Sequence, residues 1–422
     1  MQNLSAVTEN KDIATKEYVD NRDAGLVSIG DMKTSIGTQS SNWLECNGAG
    51  VNSSSYPELV SLLQVSLPAD VKLDLPYAPY TAVSSSTYPY CQGSAYYNGI
   101  WALACCGYAS KTIYKPVVYV TKDITGAWTP VTIADGSYYL SGILYSQRFE
   151  SWIAYGYKYV SDTECYPYIF YAADPFGTWT AKQIASTCCR INTGAVASGA
   201  YGSVYFIAKG CGSNNSSYAY AYSSGSYITS AFTENNFSTS FSGTPRGLCY
   251  GNGYWAFCNK SQAIYYTTSV SGTWTSKTII SGSVYLRDFA YGNGTWTAVG
   301  YQSSGGSGRL WTTTNLTGTW TDRGIFDVNG ENTSVAYCDG VWITLSMHLA
   351  SVYYLYCSTN NWQTYKSIRL TNSYTQAPTI CCFNGQWLIG HMYCASLFRR
   401  PEADAALPVQ TPPVGKTYIR AK

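Results

Sequence analysis

Arginine and carboxylate side chains are the residues of this chain that could act on a substrate. A guanidinium offers paired N–H donors, so a group of arginines could bind the carboxylate of an acidic ligand. Hydrolysis of a glycosidic bond would need two carboxyl groups a few ångströms apart, or a tyrosine paired with a glutamate as nucleophile. The arginines that fall in different segments of the chain, as a group assembled by folding would require, are Arg148, Arg190, Arg246, Arg287 and Arg309. The candidate carboxylates are Glu150, Asp162, Glu164, Asp288 and Glu331.

No motif joins these residues, and chance would scatter arginines along a chain in the same way. The sequence contains no nucleophile elbow, HExxH helix, P-loop or dinucleotide-binding fingerprint, which disfavours acyl transfer, zinc hydrolysis and nucleotide chemistry. We therefore assign no catalytic residue, and enzymatic activity is an alternative rather than the main prediction.

The cysteines do not form a recognisable ligand pattern. There are 15, an odd number, and the three doublets lie in apolar strand-like runs: Cys105-Cys106, Cys188-Cys189 and Cys381-Cys382. The two histidines, His348 and His391, have no metal-ligand spacing around them. The sequence predicts cysteines that pack as small apolar residues in a reducing cytoplasm, with no metal site and no cofactor.

The composition favours an all-β protein. Charged residues make up only 12% of the chain and aromatic residues 16%, with 41 Tyr and 38 Gly, which suits short strands joined by tight turns. The net charge of +2 provides no field that would attract nucleic acid. No basic leader with an apolar core and no run of about eighteen apolar residues occurs, so we expect neither a signal peptide nor membrane insertion.

Two short elements recur through the middle of the chain. The first is an Asn-Gly or Asp-Gly turn followed by Trp, and Asn-Gly between apolar runs is a strong hairpin signal because both residues need positive φ. Its clearest residues are Asn98, Gly99, Trp101, Asn252, Gly253, Trp255, Asn293, Gly294, Trp296, Trp342 and Trp387. The second is a Gly-x-Trp-Thr turn, with Trp128, Trp179, Trp274 and Trp320.

The repeats recur about every 40 to 50 residues, which is the length of a four-stranded propeller blade. They predict a β-propeller over residues 81–402, with seven blades and six as the alternative. The last repeat is cut short after Trp387, so completing a seventh blade would require a strand from the segment before Tyr88.

The segment from Thr121 to Trp128 resembles the Asp-box turn of sialidase-like propellers. In that turn a side-chain carboxylate ties a hairpin, and the matching residues here are Asp123, Asp174 and Asn315. Because the turn belongs to the repeated scaffold, we interpret it as structural rather than catalytic.

The ends of the chain resemble another family. Trp43-Leu44-Glu45-Cys46-Asn47-Gly48, followed by Tyr56-Pro57-Glu58-Leu59, is similar to the phage tail collar family found in short tail fibres. Residues 13–20 resemble a helix of tail-fibre proteins, and residues 415–422 resemble the strand that closes collar-containing proteins, although the family's glycine-rich, His-containing section is absent. The resemblance implies an N-terminal helix for virion attachment (1–29), a collar-like domain (30–80), the propeller (81–402) and a C-terminal tail returning to the collar-like region (403–422).

From this resemblance we expect a phage tail fibre or receptor-binding protein, located in the virion tail and assembled in the host cytoplasm. Its expected partners are other tail or baseplate proteins, sister chains of a homotrimer, and a host surface polysaccharide or other glycan. Aromatic rings suit sugar CH groups, and the candidate ligand-binding residues are Tyr168, Tyr220, Tyr222 and Tyr354. A structural tail or collar component and a sialidase-like glycan-degrading enzyme are the alternatives.

Overall fold

The computed structural model describes most of residues 89–399, with short gaps. Outside that range it describes residues 32–35, 43–45, 50–51, 55–56, 59, 71–73, 405–406 and 416–420. The chain divides into two compact units: Met1–Leu67 with Phe383–Gly385 and Arg400–Lys422, and Pro68–Cys382 with Gln386–Arg399. The helix-like residues 13–20, half of the collar-like motif (residues 46–48, 57 and 58) and Tyr222 lie outside the described residues.

The described residues of the first unit form five short strands. They are β1 (Met32–Ser35), β2 (Trp43–Glu45), β3 (Gly50–Val51), β32 (Ala405–Ala406) and β33 (Lys416–Arg420). Strand β33 lies between β1 and β2 and is antiparallel to both, while β3 pairs with β32. The last strand of the chain therefore completes a sheet with strands close to the N-terminus.

The second unit contains six sheets that are each built from four consecutive antiparallel strands, here called blades 1 to 6. Blade 1 comprises β5 (Pro89–Tyr97), β6 (Ile100–Ser110), β7 (Ile113–Thr121) and β8 (Thr129–Thr132). Blade 2 comprises β9 (Tyr138–Ser146), β10 (Ser151–Ser161), β11 (Glu164–Ala172) and β12 (Thr180–Gln183). Blade 3 comprises β13 (Cys189–Val196), β14 (Val204–Gly210), β15 (Ser217–Ala221) and β16 (Thr233–Asn236).

The next three blades follow the same order. Blade 4 comprises β17 (Arg246–Gly251), β18 (Tyr254–Cys258), β19 (Ala263–Thr267) and β20 (Thr275–Thr278). Blade 5 comprises β21 (Val284–Gly292), β22 (Thr295–Gln302), β23 (Ser307–Thr313) and β24 (Thr321–Asp327). Blade 6 comprises β25 (Gly330–Cys338), β26 (Val341–His348), β27 (Tyr353–Ser358) and β28 (Lys366–Arg369).

One further four-stranded sheet combines three consecutive strands with a strand from an earlier part of the chain. Strands β29 (Thr379–Phe383), β30 (Gln386–Gly390) and β31 (Ala395–Arg399) are joined by β4 (Val71–Leu73) in the order β29-β30-β31-β4. The pairs Leu73–Ala395 and Val71–Leu397 set the register of β4 against β31. The propeller unit therefore begins before residue 81, because its first strand pairs with its last.

The prediction of an all-β propeller is confirmed. In blades 1 to 6 the first strand is innermost. The innermost strands of neighbouring blades contact each other, from β5 of blade 1 through to β25 of blade 6. Every element whose bounds are described is a β-strand. Among the described residues, no helix is long and apolar enough to cross a membrane.

The repeated residues explain why the blades form. Asn98, Asn252 and Asn293 have φ near 45°, and the glycines that follow them also have positive φ, as a type I′ hairpin requires. All nine repeat tryptophans are buried, and seven of them belong to apolar clusters between neighbouring sheets. One such cluster joins Ala102 and Val118 of blade 1 to Leu140, Trp152 and Phe170 of blade 2, so the hydrophobic core is a series of layers between blades.

In two of the turns that were predicted as Asp-box-like, a threonine hydroxyl forms hydrogen bonds across the turn. Thr121 Oγ1 donates to the carbonyls of Asp123 and Ala127, at 2.6 and 3.0 Å. Thr313 Oγ1 does the same with the carbonyls of Asn315 and Thr319, both at 2.9 Å. Side-chain oxygens of Asp174 and Asn315 accept backbone N–H groups two residues ahead. These turns are held by internal hydrogen bonds, consistent with the structural interpretation.

One pair of cysteines departs from the sequence prediction. Cys338 and Cys382 form a disulfide across 44 residues, linking β25 to β29. The expectation that every cysteine is reduced is therefore wrong for this pair, because folding brings together two cysteines that sequence spacing does not relate. Cys105, Cys106 and Cys189 are buried and outside any disulfide of the described residues, as the apolar interpretation expects.

Candidate functional site: the polar channel of the propeller

A β-bulge recurs near the start of the innermost strands. In β5, β9, β13, β21 and β25 the fourth residue is left out of the ladder by a shift in register. A bulge adds one residue to its strand and re-aims a side chain that regular pairing would place in the blade. The residues at this position are Gln92, Ser141, Asn192, Arg287 and Thr333. All five of these residues are polar. In β5, β9, β13 and β21 the residue that precedes the bulge residue is apolar and buried in the blade.

These side chains line one cavity at the propeller axis. Its volume is about 320 Å³, and residues from the first strand of each of blades 1 to 6 and from β29 contribute to its wall. Besides the bulge residues, the wall includes Tyr139, Tyr155, Thr193, Arg246, Asp288, Ser334 and Thr379. The cavity lies near the beginning of the innermost strands, the end at which the chain enters each blade from the preceding one.

Two arginines from neighbouring blades face this cavity. Arg246 is the first residue of β17, and Arg287 is the bulge residue of β21. Both are partly exposed, and the Arg287 guanidinium carbon lies 4.9 Å from the centre of the Tyr301 ring. Stacking on an aromatic ring leaves the in-plane N–H donors of a guanidinium able to bind an anion. The two side chains therefore give the channel wall a positive region.

The only carboxylate among the described residues of the wall is Asp288, and it is fixed in place. It accepts hydrogen bonds from Phe289 N at 2.8 Å, Val335 N at 2.9 Å and Ser334 Oγ at 3.0 Å. Loss of water contact raises the pKa of Asp288, while these three donors and the nearby Arg246 oppose that shift. Its oxygens are engaged in joining blade 5 to blade 6, so the carboxylate serves first as a structural acceptor.

Tyr155 and Asn192 add uncharged polar groups to the wall. Burial raises the pKa of Tyr155 to about 12, so its hydroxyl is protonated at neutral pH and can take part in hydrogen bonds. The Asn192 Oδ1 atom is buried and accepts no hydrogen bond from the described residues. Because buried acceptors are normally satisfied, a ligand hydroxyl is a suitable donor for this atom.

Hydrogen bonds between innermost strands hold the wall together. Ser141 Oγ donates to the carbonyl of Ile191 at 2.6 Å, joining blades 2 and 3. The Leu248 N–H donates to Thr193 Oγ1 at 3.1 Å, joining blades 3 and 4. Ser94 Oγ and Thr379 Oγ1 are 2.9 Å apart, which links β5 to β29. The cavity is thus lined by groups whose positions are set by neighbouring blades.

Only two of the five candidate arginines reach the channel. Arg148 lies in the turn after β9, where its guanidinium carbon is 5.6 Å from the Phe149 ring centre. Arg190 stacks on Tyr157, and Arg309 forms an ion pair with Asp322 on blade 5. Folding therefore brings Arg246 and Arg287 together in the channel wall and places the other three candidate arginines outside it.

The candidate carboxylates are also dispersed. Asp162 and Glu164 lie at the outer hairpin of blade 2 and accept from the hydroxyls of Tyr159 and Tyr166. Glu150 occupies a turn with φ of 48°, and the side chain of Glu331 lies outside the described residues. The described part of the chain contains no pair of facing carboxylates in the channel.

The described tyrosines predicted to bind ligand, Tyr168, Tyr220 and Tyr354, are not in the channel wall. Tyr220 is fully buried, and its hydroxyl lies 3.0 Å from Cys189 Sγ, so it is not open to a surface ligand. Tyr168 donates to Gln183 Oε1 at 3.2 Å and packs against Tyr138. Tyr354 is partly exposed on β27. Because successive side chains of a strand point to opposite faces of the sheet, these rings lie between blades or on a blade surface and not in the channel wall.

Sequence reasoning missed Gln92, Asn192 and Thr333, although a signal was present. Gln92, Arg246, Arg287 and Thr333 each precede the Trp of their own repeat by nine residues. Aligning the repeats on Trp would have shown a polar residue at one fixed position. The same alignment would not have revealed Asn192, because blade 3 has a longer turn and no Trp at the repeat position.

No protein-family model matches the chain, and no curated protein matches it. Solved propellers do match. YCF48 from Cyanidioschyzon merolae is 12% identical with a TM-score of 0.51, over 79% of this chain and 99% of that one. YCF48 bound to D1 peptide has the same identity and a TM-score of 0.53, over 79% and 98%. Trypanosoma rangeli sialidase is also a neighbour, 10% identical over 72% and 59%, with a TM-score of 0.44. Likeness at these identities concerns the fold alone.

Proposed function

We propose that the propeller binds an acidic glycan at its axial channel, and that it is the host-binding part of a phage tail protein. The observation that carries the binding proposal is the placement of Arg246 and Arg287 on one cavity wall. Guanidinium groups bind carboxylates through paired, charge-assisted hydrogen bonds. A sugar acid supplies such a carboxylate together with several hydroxyls.

The rest of the wall suits the hydroxyls of a sugar. Gln92 and Asn192 provide amides, Thr193 and Thr333 provide hydroxyls, and Tyr139 adds an aromatic ring. A volume of about 320 Å³ is at the lower end of the range for small-molecule sites, which is roughly 300–1,000 Å³. One terminal or side-branch sugar residue is therefore the expected occupant.

Binding is favoured over hydrolysis by the state of the acidic groups. A glycosidase needs a second carboxyl group, or an activated tyrosine, near the scissile bond. Asp288 already accepts three hydrogen bonds from protein donors. The pKa of Tyr155 is raised by burial to about 12, which is opposite to the activation that a nucleophile needs.

The proposed ring has seven blades, closed by the sheet that contains β4. Its β30 lies against β5 of blade 1, and Trp387 and Ile389 share an apolar cluster with Val341 and Ile343 of blade 6. A sheet in contact with both the first and the sixth blade is what closure requires.

The phage context is supported by sequence resemblance. The collar-like residues Trp43 to Gly48 and the helix-like residues 13–20 are the basis for assigning residues 1–80 to virion attachment. Trimeric assembly, with other tail or baseplate proteins as partners, is proposed on the same ground.

The test is binding of the full chain to host bacteria and to purified polysaccharides, with and without acidic sugars. We expect binding to acidic polymers, loss of at least tenfold in affinity in Arg287→Lys and Arg246→Lys, and no sugar release. Arg148→Lys is the matched control, since Arg148 lies outside the channel wall.

Three results would contradict the proposal. Equal binding by the channel variants would place recognition elsewhere. Release of oligosaccharide would show an enzyme. Absence of binding, with the chain still incorporated in virions, would indicate a structural tail component.

A further inference from the structure

Three cysteines meet where blades 2 and 3 adjoin, and none of them lines the channel wall. Cys165 is on β11, Cys188 directly precedes β13, and Cys211 directly follows β14. Their Sγ atoms all lie within 4.8 Å of one another. Cys165 and Cys211 are buried, whereas Cys188 is partly exposed, so the group is open to solvent on one side.

Polar groups lie close to each of these sulfurs. Arg190 Nε lies 3.2 Å from Cys165 Sγ, so a positive group donates to the most deeply buried sulfur. The carbonyl of Thr163 lies 3.4 Å from Cys188 Sγ, and the carbonyl of Cys165 lies 3.6 Å from Cys211 Sγ. Three soft sulfur ligands with one open side form a donor set for a thiophilic metal ion.

We propose that Cys165, Cys188 and Cys211 bind one thiophilic metal ion, Zn²⁺ or Cu⁺. With metal–sulfur bonds of about 2.3 Å, ligand sulfurs lie almost 4 Å apart, so small side-chain rotations suffice to accommodate the ion. For Zn²⁺ the exposed side leaves room for water as a fourth ligand. The site would tie blade 2 to blade 3, because Cys165 belongs to one and the other two cysteines to the next.

A disulfide is the competing use of the close pair Cys188 and Cys211, whose sulfurs are 2.8 Å apart. The Cys211 N–H donates to the Cys188 carbonyl, so the two residues face each other across antiparallel strands. Cβ atoms of such directly opposed pairs are about 4.5–5.5 Å apart, while a disulfide holds them at about 3.5–4.5 Å. A disulfide between Cys188 and Cys211 would also give no function to Cys165 and to Arg190, which donates to the Cys165 sulfur.

The test uses the full chain, purified in reductant and freed of metal. We expect one equivalent of Zn²⁺ or Cu⁺ by elemental analysis after titration and dialysis, and sulfur-to-metal charge-transfer bands when Co²⁺ replaces Zn²⁺. Cys165→Ser and Cys188→Ser should each weaken binding at least about tenfold and abolish the rise in melting temperature caused by the metal.

Cys91→Ser is the matched control. Cys91 also has a close thiol neighbour, with its sulfur 2.9 Å from that of Cys105, but it is not in the three-cysteine group. Circular dichroism without metal shows whether each variant is folded, and the half-exposed position of Cys188 makes its substitution the safest.

The proposal is overturned if the reduced, folded chain binds neither ion, or if binding survives both substitutions. A native Cys188–Cys211 disulfide, found by mass spectrometry of chain isolated without added oxidant, would also overturn it.

Discussion

The Asp288 carboxylate on β21 accepts a hydrogen bond of 2.9 Å from the backbone N–H of Val335 on β25. The two residues are on the innermost strands of adjacent blades, and the same oxygen accepts from Ser334 Oγ at 3.0 Å. A side chain in the channel wall therefore also joins two blades.

Replacing Asp288 with Ala should destabilise the propeller. The N–H groups of Phe289 and Val335 would lose their acceptor, and an unsatisfied buried donor costs about 1–3 kcal/mol. We expect the free energy of unfolding in urea to fall by about 2 kcal/mol or more. Asp135→Ala, at an exposed position, should change it by less than about 0.5 kcal/mol. Equal effects of the two substitutions would show that the seam is not stabilising.

The same carboxyl should make stability depend on pH. Burial raises the pKa of Asp288 in the folded chain, so the protonated form is favoured by folding. Its contribution to stability is fully present below the unfolded pKa, near 3.8, and is lost as the pH rises through the folded value. Relative to Asp288→Asn, the wild-type chain should therefore lose stability as the pH rises above about 4. A pH-independent difference in unfolding free energy would contradict this.

Gly247 should tolerate no side chain. Its φ is +62°, and an added Cβ would lie 2.5 Å from Phe289 N and 2.6 Å from Asp288 Oδ1. Gly253 has a similar φ of +82° but nothing within 4 Å of an added Cβ. Gly253→Ala should cost about 1 kcal/mol from backbone strain, and Gly247→Ala clearly more, by thermal unfolding. Similar costs would mean that blades 4 and 5 can move apart.

Lys182 should stabilise the contact of blade 2 with blade 3. Its ammonium donates to the carbonyls of Thr229 and Ser230, at 2.7 and 2.6 Å. Hydrogen bonds to charged groups contribute about 1.5–3 kcal/mol, so Lys182→Met should lower the unfolding free energy by that order. Lys122→Met, at an exposed lysine, should have an effect below about 0.5 kcal/mol.

The strand β4 should be needed for the stability of the propeller. A chain beginning at residue 81 lacks Val71–Leu73 and leaves β31 without its outer partner. We expect a lower melting temperature and earlier proteolysis near residues 386–399 than in a chain beginning at residue 68. If the two chains melt alike, the seventh sheet does not depend on this strand.

The repeat pattern was sufficient to predict a propeller, because hairpins and blade cores depend on local features. Asn98 and Gly99 adopt the positive φ that their types favour, and Trp101, two residues after the turn, is buried. These relations involve neighbouring residues, so one sequence is enough to reveal them. The requirement for a strand from before Tyr88 followed from counting strands, and β4 is in that position.

The site could not be predicted in the same way. Tyr220 and Arg309 were as plausible as Arg246 and Arg287 in the sequence, yet Tyr220 is buried between blades and Arg309 is paired with Asp322. The channel wall is assembled from residues nearly 300 positions apart, between Gln92 and Thr379. A bulge decides which side chain faces the axis, and blade packing decides which of these side chains meet. Both depend on contacts between strands distant in sequence, whereas the turns and the buried tryptophans depend on residues close together in the chain.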